Sequence, residues 1–124
     1  MNAAQYTAEI TRLDAEARAA HAAANRKVAV EFEGHRNGMT TDIDNRALAL
    51  ADQSRALVEE AKKAGMLWLK GQMVDKAMWP AFKATWNDAV RANTIGGSLN
   101  MKKLQDSFGE TADNMRKAKA FFEA

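Results

Sequence analysis

The chain has 124 residues, 47% of them apolar and 27% charged, with a net charge of +2 and no cysteine. That length suits one domain with a modest core, and the lack of cysteine excludes a disulfide framework, a thiolate metal site and a cysteine nucleophile. The charge is too small to argue for nucleic acid, and its distribution, 9 basic against 10 acidic groups over residues 1–65 and 9 against 6 over residues 66–124, is that of an ordinary solvated surface.

Twenty-six alanines against one proline favour helix almost everywhere. The expected class is all-α: an elongated antiparallel bundle of about four helices in a single domain, residues 1–124. Residues 1–13 carry Glu9 and no continuous apolar run, so no signal peptide is expected. No stretch approaches the ~18 apolar residues of a membrane span. A cytoplasmic location is the expectation.

The first helix is predicted from about Ala3 to Glu33. Tyr6, Ile10, Leu13, Ala17, Ala20 and Ala24 follow one another at steps of four and three, which puts them on one stripe. Arg12 and Glu16, and Asp14 and Arg18, sit four apart on the polar side. The middle of the helix is alanine-rich. It buries little area, and it leaves room for another helix to approach closely.

Gly34 to Thr41 reads as a break, with Thr41 as an N-cap and Asp42 and Asp44 in the first turn that follows. The second helix is predicted to run to about Ala64. Its stripe is Ile43, Ala47, Leu50, Ser54, Leu57, Ala61 and Ala64, continuing to Trp68, and Lys62, Lys63 and Gly65 mark its end. Together the two form a hairpin over residues 3–64 with coiled-coil character.

A third helix is predicted over residues 66–93, with Pro80 either kinking it or starting a new one. It holds all three tryptophans. Trp68, Trp79, Phe82 and Trp86 share one face, and Met66, Met73, Ala77 and Ala81 another. Methionine is adaptable and aromatics dominate interface energetics. Met66, Trp68, Met73, Trp79, Phe82 and Trp86 are therefore candidates for binding a protein partner. The plainer reading makes them the core that the alanine-rich helices need.

Asn93 to Ser98, with Gly96-Gly97, reads as a loop. A fourth helix follows over residues 99–122, carrying Met101, Leu104, Phe108, Met115, Ala118 and Phe122. Ser107 to Glu110 reads as a capping box, with a break at Gly109. Lys102, Lys103, Arg116, Lys117 and Lys119 are candidates for contacting nucleic-acid phosphates. Asp106, Glu110 and Asp113 interrupt them, and a solvated face is the simpler account.

Nothing in the sequence makes a catalytic set. His21 has alanine neighbours, and His35 lies beside Glu31 and Glu33 across the expected break, so no metal site is expected. Glu59 and Glu60 sit next to Lys62 and Lys63 as solvated charges. There is no GxxxxGK(S/T) loop and no GxGxxG turn. The expectation is a non-enzymatic protein without cofactor or small-molecule substrate, acting through protein–protein binding. It would be an oligomeric assembly component, of the virion-associated kind found among small helical phage and mobile-element proteins, or an adaptor or inhibitor of a larger machine. A nucleic-acid-associated protein using the last helix is the alternative.

Overall fold

The computed structural model describes the backbone of residues 1–30 and 33–124 and the side chains of residues 1–23 and 45–124. Among these residues the chain forms five helices and two short β-hairpins. It divides into two compact units, Met1–Lys63 and Ala64–Ala124.

The first unit is a pair of helices, α1 (Ala3–Val30) and α2 (Glu33–Lys63), packed on each other. At ~1.5 Å per residue they are about 42 and 46 Å long. Burial and then the nearby Glu60 carboxylate raise the Tyr6 phenol above its ordinary value, while Ala17 and His21 share a concavity with Ala47 and Ala51. Early residues of one helix thus meet late residues of the other, and the pair is antiparallel. The predicted stripe packs as far as Ala61; beyond it Ala64 is exposed past the end of α2 and Trp68 lies on a strand, which corrects the continuation expected there. Tyr6, Ile10, Leu13, Ser54 and Ala61 are buried, and Ala17, Ala20, Ala47, Leu50 and Leu57 are half-buried. Ala24 and Ile43 lie outside the described side chains.

A capping box that spacing alone did not single out starts α1. Asn2 Oδ1 accepts from the Gln5 amide at 2.8 Å, and Gln5 Oε1 accepts from the Asn2 amide at 2.8 Å. On the polar side Arg12 pairs with both Glu9 and Glu16, which holds the Glu9 carboxyl below its ordinary range through the Arg12 hydrogen bond.

The expected break over Gly34 to Thr41 is corrected. Those residues are helical, and α2 begins at Glu33, so Thr41 lies inside the helix rather than at its start. An isolated glycine costs a helix only about 1 kcal/mol relative to alanine, and packing of an apolar face is the larger influence on where a helix persists. The side chains of His35, Glu33, Asp42 and Asp44, and all of Glu31, lie outside the described residues.

The second unit departs further from expectation. Residues 66–78 are not the start of a helix. Leu67–Leu69 (β1) and Gln72–Val74 (β2) form an antiparallel hairpin, with Leu67 opposite Val74 and Trp68 opposite Met73. Lys70 and Gly71 make the turn with φ of 52° and 77°, the left-handed pair that a tight hairpin turn demands. The cluster of large apolar residues here satisfied a helical period by chance, while the two-residue turn decided the structure.

The third helix, α3 (Trp79–Ala92), begins where Pro80 sits in its first turn, a position at which proline costs nothing. Asp75 organises this start: its Oδ1 accepts from the Met78 amide at 2.9 Å and its carbonyl from Met78 and Trp79.

The expected glycine loop closes as a second small hairpin, Thr94–Ile95 (β3) with Ser98–Leu99 (β4), turning at Gly96-Gly97. Asn100 then caps α4 (Met101–Phe108) by accepting from the Lys103 amide at 3.1 Å. The predicted break at Gly109 is present, at φ 83°. The cap of the next helix is corrected from Ser107 to Thr111, which accepts from the Asn114 amide and starts α5 (Ala112–Phe122). Ser107 instead donates to the Leu104 carbonyl.

The core of this unit gathers Leu69, Val74, Trp79, Phe108, Met115, Ala118 and Phe122, with Phe82 and Trp86 packed at its edge. Every helix and the first hairpin contribute. Trp79 stacks on Phe122 with ring centroids 5.3 Å apart, and Trp86 meets Phe108 edge-on at 5.1 Å.

Candidate functional site

The second unit leaves a groove of about 540 Å³ between α3 and α5. On α3, Trp79, Lys83, Trp86 and Val90 recur at steps of four and three, so one face of that helix forms a wall. Met115, Arg116 and Lys119 on α5, with Glu123 just past its end, form the other. Leu99, Met101 and Leu104 complete the lining. Leu99 and Met101 are large apolar side chains left 37% and 41% exposed, which makes the apolar floor accessible from outside.

The rim carries three cations and one carboxylate, and that carboxylate is already engaged. Glu123 Oε1 accepts from Lys83 Nζ at 2.5 Å and from Trp79 Nε1 at 3.2 Å. The Lys83 bond, then the Trp79 bond, holds the Glu123 carboxyl below its ordinary range. Arg116 reaches Asp113 only at 3.5 Å, and Lys117 holds the other Asp113 oxygen at 3.1 Å. The Asp113 carboxyl is lowered, chiefly by Lys117. Lys119 makes no ion pair among the described residues. The rim is therefore net positive above an apolar floor.

The six partner candidates separate. Met73 and Trp79 are buried in the second unit. Trp68 on β1, Met66 just before it, and Phe82 are half-buried. Trp79 and Trp86 line the groove, and the other four do not. Leu99, Met101 and Met115 are groove residues that were not named as partner candidates from the sequence. They come from a strand and two helices, and only the turns at Gly96-Gly97 and Gly109 bring them to one place.

The five basic candidates also separate. Lys102 and Lys103 lie on α4 beside Asn100, Asp106 and Ser107, whereas Arg116, Lys117 and Lys119 lie on α5. Asp113 partners two of them.

In the first unit a shallower concavity of about 560 Å³ is lined by Ala17, Arg18, His21, Ala47, Leu48 and Ala51. Leu48 is 59% exposed there. Among the described residues no three His, Asp or Glu side chains converge as metal ligands. None of the described helices is long and apolar enough to cross a membrane. Compared with models of protein families, with curated protein sequences and with solved structures, the chain matches none.

Proposed function

We propose that this chain works by binding other protein, as an adaptor or inhibitor that receives a partner in the groove of its second unit. The observation that carries the reading is the accessible apolar floor of Leu99, Met101 and Trp86 under a positive rim. Large apolar side chains left open beside fixed charges are the composition of a protein-binding patch.

A second reading, an assembly component built from copies of this chain, draws on the alanine surface around Leu48. Small side chains there let another helix approach closely. Light scattering coupled to size exclusion, at several concentrations and two salt levels, separates the two. A monomer at all concentrations supports the adaptor. A stable oligomer that Leu48→Lys dissociates supports the assembly. A salt-sensitive shift of DNA or RNA, lost when Lys102, Lys103, Lys117 and Lys119 become Gln, would overturn both in favour of nucleic acid.

A further inference from the structure

We propose that the occupant of the groove is an acidic amphipathic helix; this rests on the protein-binding reading above and names the chemistry of the partner. Two arguments select it. The first is shape. The walls are the faces of two helices, Trp79 to Val90 on α3 and Met115 to Lys119 on α5, with Glu123 at its C-terminal cap. A third helix laid along them sets its apolar stripe into the space they leave, as in helix-in-groove recognition.

The second argument is charge. Glu123 is held by Lys83 and by the Trp79 indole, so the rim offers Lys119, whose charge acts on Glu123 without a close ion pair, and Arg116 with only a 3.5 Å contact. Carboxylates flanking the apolar stripe of an incoming helix complete those two cations. A lysine-flanked helix meets like charge in the same place, which discriminates against it. Trp86, Leu99 and Met101 take the apolar anchors. Aromatic and methionine side chains adapt to such anchors at little conformational cost.

The test uses the full chain and two synthetic peptides without tryptophan. Both carry Leu and Phe at positions i, i+4 and i+7, and they differ only in Glu or Lys on the flanks. Binding is read from tryptophan emission, to which Trp86 in the groove responds. The expected result is a Kd for the Glu peptide about tenfold or more below that for the Lys peptide. The gap should narrow as salt is raised. Arg116→Glu with Lys119→Glu should invert the preference while the far-ultraviolet circular dichroism spectrum stays helical, since both side chains are exposed. Met101→Lys should abolish binding of both peptides.

Equal binding of the two peptides, lost in Met101→Lys, would overturn the acidic assignment while leaving the groove a protein-docking site. No binding of either peptide, or binding that Met101→Lys leaves unchanged, would overturn both. Self-association that Met101→Lys removes would put a second copy in the groove and overturn the proposal.

Discussion

Glu110 ties the turn of the first hairpin to the start of α5. Its Oε2 accepts from the Lys70 amide at the hairpin turn at 3.1 Å, and its Oε1 from the Thr111 amide and Asn114 Nδ2 at 2.9 and 2.8 Å. Lys70 in turn places its ammonium 4.1 Å from the Phe108 ring centroid. Partial burial alone would raise the Glu110 carboxyl, but the bonds from Asn114, Thr111 and Lys70 outweigh it and hold the group below its ordinary value. A lowered folded value contributes stability that is present above the ordinary carboxylate range and lost as pH falls through the folded value. Urea melts read by tryptophan emission should therefore show the second unit weakening as pH falls below about 4, and Glu110→Gln should reduce that dependence. Glu110→Ala should cost about 1–2 kcal/mol in urea melts at neutral pH. Gly71→Ala, at φ 77° with open space around the added carbon, should cost about 1 kcal/mol from backbone conformation alone.

In the helical pair, burial fades along the stripe. Ile10 and Leu13 are sealed, while Ala17, Ala20 and Ala47 are half-exposed. Leu13→Ala should cost about 2–5 kcal/mol, and Leu48→Ala almost nothing, both read from far-ultraviolet circular dichroism melts. This pair was legible in the sequence because its signal is local and repeated: steps of four and three over many turns leave one consistent register. The residues around Lys70-Gly71 were not. Two three-residue strands are too short to show alternation, Leu, Trp and Met fit a helical stripe equally well, and Lys-Gly is a weaker turn signal than Asn-Gly. The groove was half legible. Trp79 and Trp86 stood out by size, whereas Met101 and Met115 join them only once Gly109 redirects the chain between α4 and α5. Trp79 illustrates the limit of composition as a guide: stacked on Phe122 and 4% exposed, it serves the core as well as the groove. Trp79→Ala should cost about 3–5 kcal/mol in thermal melts, a loss of folding rather than of binding alone.

Across the molecule, the two units carry separate natural reporters. Trp68, Trp79 and Trp86 all fall within Ala64–Ala124, and Tyr6, the one tyrosine, within Met1–Lys63. Most helical residues belong to α1 and α2. Leu13→Ala should thus lower the circular dichroism midpoint more than the tryptophan midpoint, and Leu104→Ala, at a fully buried position, should do the reverse. Coincident shifts in both variants would mean that the units unfold as one. The Gly96-Gly97 turn has a practical consequence of its own. Thr94 to Leu99 is exposed throughout, and no neighbour lies within 4 Å of a carbon added at either glycine. An exposed tip of small residues is where chains best accept inserted sequence. A short epitope or dye-labelling tag spliced between Gly96 and Gly97 would give an internal handle for immobilising the protein or tracking it in cells, with both chain ends left untouched.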